Sequence, residues 1–437
     1  MKASRKRENA SLRAIEDSAL FAYTKKSKIR WFYAFVPFKV STGGTSTLIP
    51  LLTLEAGGSP QEVGVINAIG SIASMIGGVF WGRLSDKMLK RKPFLILGFI
   101  GTSLFSFLMA FSRSITQLMV LNFLYSFFIA ATIPIPVILI ARVLKKKQLD
   151  YGIAKFNEIG GWAWVVGLIL GFFLAYFLSI RQLLVVFAVV NIPSIVLGVK
   201  WIQEAPFRIE RRSLGVYANY IVEKFRYLPN IMIHLPEYNK RALTGFLEFK
   251  EFYLASILFW VGAMLYFSQF PVLLKSRSVS TSEIYLASVL NSSIAAYMYM
   301  KAGTHTERRG GKASLIRGLS IRSFGFSLVL LGLFQSGAVF KICAFISYAL
   351  AGYSWAYIGI STTSMISKLA KEKEQGAMMG FYNLISSLGA IIGSILSGFI
   401  VKAGGFFADF LLASLLILLS IFTLMRFDVT ARSRHKV

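Results

Sequence analysis

The feature that most limits how this chain can fold is its succession of long apolar runs, each near the roughly 20 residues a helix needs to cross a bilayer. Twelve can be drawn. The first six lie near Trp31 to Leu54, Gln61 to Gly82, Pro93 to Phe111, Ile115 to Val143, Gly152 to Leu178 and Gln182 to Trp201. Six more follow a polar insert, near Glu251 to Leu274, Glu283 to Lys301, Ser314 to Phe334, Val339 to Ser364, Gln375 to Val401 and Phe406 to Met425. With 55% of residues hydrophobic and a mean hydropathy of +0.61, the chain carries more apolar surface than a water-soluble domain could hide. Helix is the open-chain form whose backbone is satisfied in lipid. The expectation is an all-α integral membrane protein with twelve transmembrane helices.

Lys and Arg outnumber Asp and Glu by 48 to 20, a net charge of +28. Such a balance can signal nucleic acid, but here the bases cluster in short turns between apolar runs, so the expected partner is membrane lipid and not nucleic acid. With twelve crossings, 39 bases fall on the side of the two termini, 5 on the opposite side, and Lys39, Arg317, Arg322 and Lys341 within or beside spans. The positive-inside rule then places both termini in the cytoplasm, in a cell membrane. The insert divides the spans six and six. The organisation predicted is a basic tail (1–30), a first bundle (31–202), a cytoplasmic linker (203–250), a second bundle (251–426) and a short tail (427–437). Within the linker, Leu214 to Leu228 and Leu243 to Phe252 read either as short helices lying on the inner membrane face or as flexible tether.

Several chemistries are not encoded. The single cysteine, Cys343, rules out a disulfide framework. No metal or cofactor motif occurs, and no H-E-x-x-H, G-x-S-x-G or clustered-Asp pattern supports an enzyme acting on lipid. A receptor or scaffold that does not transport stays as an alternative.

The turn after the second run reads Gly82-Arg83-Leu84-Ser85-Asp86-Lys87-Met88-Leu89-Lys90-Arg91. A Gly, an acid four residues later, then bases after a gap could let helices approach closely while the acid accepts amide hydrogen bonds or pairs with a base across an interface. The pattern returns 221 residues later at Gly303-Thr304-His305-Thr306-Glu307-Arg308. A second correspondence, offset by 226, matches Asn157, Gly167, Leu170 and Phe173 with Asn383, Gly393, Leu396 and Phe399. The paired loops and the two halves resemble the major facilitator superfamily, although Leu89 stands where its signature usually has a second Gly. The resemblance implies two six-helix pseudo-repeat bundles rocking about a central site. It also implies that Gly82, Asp86, Lys87, Arg91, Gly303, Glu307 and Arg308 form gating loops, and that the protein moves a small-molecule solute, uses no cofactor and works as a monomer.

Small residues recur at helical spacing in the second run (Asn67, Ser71, Ser74, Gly78) and the eleventh (Ser386, Gly389, Gly393, Ser397). They allow close helix packing in lipid, either static or, as the resemblance implies, sliding. Ionisable residues at lipid depth are costly and hence functional candidates. Lys39 lies about 12 Å and Glu158 about 9 Å into their spans, at 1.5 Å per residue. A Lys39–Glu158 pair is geometrically plausible, lining the cavity and changing partner when solute or a proton binds; a fixed ion pair, or a lysine reaching the interface, is the plainer reading. Arg322 and Asp409 read as structural. The resemblance places spans one, four, seven and ten around the solute, which nominates Asn122, Tyr125, Trp260, Gln269, Tyr353 and Tyr357 as contacts suited to an amphiphilic or sugar-like molecule. Asn122 occupies the place of a buried arginine of proton-driven exporters, and the fifth run lacks their Gly-Pro pair. All three histidines fall outside spans, so Glu158 is the carboxylate left for coupling protons, with uniport and coupling through solute charge also open.

Overall fold

The computed structural model describes residues 30–88, 90–143, 149–202, 249–369 and 375–427, which form helices and, among the described residues, no strand. A 3₁₀ turn at Arg30–Phe35 leads into α1 (Val36–Glu55), then α2 (Pro60–Met88), α3 (Lys92–Ala110), α4 (Ile115–Ile129), α5 (Pro134–Val143), α6 (Leu149–Leu174) and α7 (Ile180–Trp201). Beyond the insert come α8 (Lys250–Ser276), α9 (Thr281–Arg309), α10 (Gly311–Leu333), α11 (Gly337–Leu369) and α12 (Gln375–Arg426). The basic tail before Arg30 and most of the linker, including Leu214 to Leu228, lie outside the described residues.

Among the described residues, nine helical stretches are long and apolar enough to cross a membrane. Two expected spans, α1 and α9, are helices but fall outside that set, because Ser, Thr and Gly in α1 and Ser282, Asn291, Ser292 and Ser293 in α9 dilute their apolar character. The fourth run is not one helix. Ala130–Thr132 tightens into a 3₁₀ turn before Pro134, whose ring has no N–H to give and is best placed at a helix start. The eleventh and twelfth runs join in α12, whose 52 residues bend at Gly405 (φ 73°), a left-handed conformation that only glycine adopts without steric cost. At 1.5 Å per residue α12 would span roughly 78 Å, well over twice the ~30 Å lipid core, so the bend lets it turn back.

Four helix starts share one device that was not read from the sequence. Ser59, Ser114, Ser179 and Ser280 precede α2, α4, α7 and α9, each with Glu or Gln three residues on. Ser179 and Ser280 form full capping boxes with Gln182 and Glu283, Ser114 Oγ accepts from the Gln117 amide at 3.2 Å, and Glu62 accepts from the Ser59 amide at 2.6 Å. These caps satisfy amides that a helix end leaves unpaired. All four sit on the side away from the basic turns.

In the first set of helices, α1 packs on α6 and α7, α3 on α4 and α7, and α2 on α4; in the second, α8 packs on α12, and α11 on α9 and α10. Between the sets, α2 meets α12 and α6 meets α9. The internal repeat is visible in the packing. A Cβ on Gly167 would run into the carbonyl oxygen of Val40, and one on Gly393 into that of Val261. Val40 and Val261 are 221 residues apart, the offset that also relates the two basic loops. Lys92, opening α3, donates to Val199 O at the end of α7 (2.6 Å), and Lys312, opening α10, donates to Met425 O at the end of α12 (3.0 Å). In each half a lysine cation thus meets carbonyls at the negative end of a helix dipole.

Candidate functional site

The seam between α2 and α12 is closed at one end and open at the other. A Cβ at Gly64 would strike the carbonyl oxygen of Ser394, so the backbones touch there. Seven residues along each helix, Ser71 and Ser387 face a cavity of about 380 Å³. Fourteen residues along, Gly78 and Gly380 have, among the described residues and beyond their own helix backbone and chain neighbours, no atom within 4 Å of where a Cβ would sit. Seven residues are nearly two turns, so each set of three lies along one helix face, and the helices diverge toward the basic turns. The closed end is held by polar contacts between the sets. Gln269 Nε2 donates to Pro60 O (3.0 Å), and Tyr285 Oη donates to Gly44 O (2.6 Å) with its ring against Gly171.

The cavity has two unlike walls. One is short and polar: Ser46 of α1, Asn67, Ser71 and Ser74 of α2, and Asn122 and Ser126 of α4. The other carries Trp260 of α8 with Ser386, Ser387 and Ala390 of α12. Trp260 is fixed from behind, its Nε1 donating to Tyr382 Oη (3.2 Å) and its ring edge-on to Trp355 at 5.7 Å. Asn122 both lines the cavity and holds α4 to α2, giving its amide to Ile66 O at 2.9 Å. Bonds of this type join helices in lipid.

The other nominated contacts stand elsewhere. Tyr125 is buried in the core of the first set. Gln269 belongs to the seal. Tyr353 and Tyr357 stack on each other at 5.4 Å beside His305 and Arg317, away from the cavity lining. Partial burial, followed by the charges of Arg317 and Arg309, holds the His305 imidazole below its ordinary pKa. The Ser and Asn stripes of α2 and α12, by contrast, provide much of the lining. Their sequence signal was helical spacing, which cannot separate close packing from cavity wall.

The Lys39–Glu158 pair is not formed. Glu158 is exposed and bonds Lys155 one turn earlier at 2.9 Å, the i, i+3 neighbour that helix geometry supplies most cheaply. Lys39 lies two residues further along α6 than Glu158, its stem against Gly160. Arg322 is fully buried: Nε donates to Ser354 Oγ (2.6 Å), Nη2 to Ala351 O (2.8 Å), and the rings of Phe259, Phe267, Phe326 and Trp355 surround its guanidinium at 5.1–5.8 Å.

The gating sequences are more helical than their charges suggested. α2 runs through Gly82 to Met88, where Arg91 turns back to donate to Ser85 Oγ; Lys87 is exposed, and the side chain of Asp86 lies outside what is described. Gly303, Glu307 and Arg308 are likewise inside α9, which ends at Arg309 with Gly310 as its cap. No Pro or Gly interrupts either stretch after its first glycine, so the helices continue beyond the apolar run.

Comparison with known proteins places this architecture. The family model described as Major Facilitator Superfamily matches residues 32–364 and 252–437. An uncharacterised MFS-type transporter of Methanocaldococcus jannaschii is 22% identical over 362 residues, 81% of this chain and 83% of that protein. A probable 4-methylmuconolactone transporter of Cupriavidus pinatubonensis is 32% identical over 124 residues, 28% of each chain. Among solved structures, a D-xylose-proton symporter superposes with TM-score 0.68 at 13% identity (93% of this chain, 98% of that one). The nucleoside transporter NupG superposes with 0.66 at 14% (93% and 99%). The chain belongs to the major facilitator superfamily and is a multi-pass membrane transporter of solutes.

Proposed function

We propose that the protein carries a small organic molecule across a cell membrane by alternating access, and that the structure is its state open to the cytoplasm. The observation that carries this reading is the α2–α12 seam, touching at Gly64 and Ser394, hollow at Ser71 and Ser387, and parted at Gly78 and Gly380. Twelve crossings follow from counting α4 with α5 as one and α12 as two. Residues 31–202 and 251–426 are then two bundles joined by 203–250, working as a monomer with both termini in the cytoplasm, which makes the open end the inner one. Trp260, Asn122 and the serines of α2 and α12 contact the solute. Gln269 and Tyr285 latch the outer end. The stretches from Gly82 to Arg91 and Gly303 to Arg308 meet when the inner end closes. Tyr125, Tyr353 and Tyr357 support these walls.

The test is flux. Purified protein, screened against small solutes for thermal stabilisation and then placed in liposomes, accumulates or exchanges at least one stabilising solute, and Trp260→Ala lowers that flux. An imposed pH gradient separates proton coupling from uniport. Surface labelling of intact cells leaves Arg211 and Arg212 unmodified. Labelling of that segment from outside, or solute binding without flux, contradicts the reading.

A further inference from the structure

Building on the transport reading, we propose that the solute is a small organic anion bearing a carboxylate, and that Lys39 neutralises its charge. Lys39 stands seven residues before Ser46 on α1, within about 20° of the same helix face and about 10 Å nearer the open end. Ser46 lines the cavity. The lysine stem lies against Gly160, its Cε 3.6 Å from where a Cβ would sit, so that a larger side chain there would meet it. Its ammonium has, among the described residues, no hydrogen-bond acceptor or carboxylate, only the ring of Phe38 at 5.7 Å.

The described acid nearest in the chain to the glycine it packs on, Glu158, two residues before Gly160, is committed to Lys155. The residues lining the cavity offer hydroxyls, amides and an indole, and none of them is ionisable. An ammonium drawn out of bulk water between two helices is costly without a counter-charge. No described side chain supplies one, so an anion entering from the open end would. A cation would meet the same charge as repulsion, and a neutral solute would leave it uncompensated. The basic turns ringing the open end add a field that gathers anions at the mouth.

The carboxylate and the rest of the molecule would then be read by different residues. The anionic end reaches Lys39, while an apolar or aromatic body lies against Trp260 and hydroxyls of the opposite wall bond its polar groups. At this cavity volume, a molecule with one ring and one acid group fits.

The experiment uses the full purified chain and matched probes: benzoate, phenylacetate and nicotinate against benzamide, phenylacetamide and nicotinamide. Thermal stabilisation and competition for liposome flux are read on wild type, Lys39→Gln, Lys39→Arg and Gly160→Leu. The expected result is that carboxylates stabilise wild type and their amides do not. Lys39→Gln weakens carboxylate binding by about tenfold or more, Lys39→Arg keeps part of it, and Gly160→Leu weakens it with the charge retained. Melting temperatures of the unliganded variants show that each is folded. Carboxylates bound equally by wild type and Lys39→Gln, or amides bound and carried as well as acids, overturn the anion assignment and leave transport standing. A protein that stays folded yet binds and moves neither class overturns the anion assignment, while transport itself stands or falls on the wider solute screen.

Discussion

On the first-set side of the cavity the wall is Ser71, Ser74, Asn122 and Ser126, short polar side chains; on the second-set side it is Trp260, with Trp355 and Tyr382 behind it. The two sets nevertheless share their scaffold. Gly167 and Gly393 press on the carbonyls of Val40 and Val261, and Lys92 and Lys312 cap the last helix of their own set. Repetition is kept where helices must meet or end and abandoned where they face the cavity. The cations set within the helices show the same divergence. Among the described residues the Lys39 ammonium meets only the Phe38 ring, whereas Arg322 is enclosed by four rings and two acceptors.

Replacing Arg322 with Ala should produce the largest effect, because it empties a fully buried site and lets Trp355 and then Trp260 shift. A loss of about 2–5 kcal/mol is expected from the cavity alone. Arg322→Met, which fills the space without charge, should stay near wild type, since a buried ion replaced by an apolar group of similar size is often neutral. Thermal unfolding in detergent checks both, and equal losses would show that the charge itself holds the second set together.

A smaller effect is expected at the seam. Gly64→Val pushes a side chain into Ser394 O, overpacking that costs about 1–3 kcal/mol, roughly a 5- to 150-fold shift away from the closed outer end. A cysteine replacing Ser71 should then react faster with an impermeant reagent added from outside. Unchanged labelling would mean that the seam is not what seals.

Asp409 comes next. It is buried in α12, and neither carboxylate oxygen has a donor among the described residues, so Asp409→Asn should leave stability unchanged or raise it by about 1 kcal/mol. A clear loss would reveal a partner for the carboxylate. The smallest change belongs to Glu158→Gln, which removes an exposed pair with Lys155 worth about 0.3–0.5 kcal/mol and should leave flux within about twofold. A near-complete loss would revive the abandoned pairing with Lys39.

Much of the helical architecture was legible because lipid leaves a backbone few options, so apolar length marked most of the helices. The S-x-x-E/Q caps at Ser59, Ser114, Ser179 and Ser280 were legible too but went unread among the stronger apolar signal. The cavity was only partly legible. Asn122 and Trp260 line it, whereas Tyr125, Gln269, Tyr353 and Tyr357 stand in core, seal or a side cluster, because residues on one span face several neighbours and a one-dimensional pattern does not say which face meets the cavity. Glu158 misled for a similar reason. Its depth was counted along the run, which says nothing of the side on which it lies or of the i, i+3 neighbour Lys155 that binds it.

The most direct test of alternating access locks the closed end. Thr47 Oγ1 and Ser288 Oγ approach to 3.5 Å across the two sets, so Thr47→Cys with Ser288→Cys, in a Cys343→Ser background, should form a disulfide in the state described. The account predicts that this bond stops flux and that reduction restores it. Flux continuing at the unlocked rate with the bond formed would contradict it.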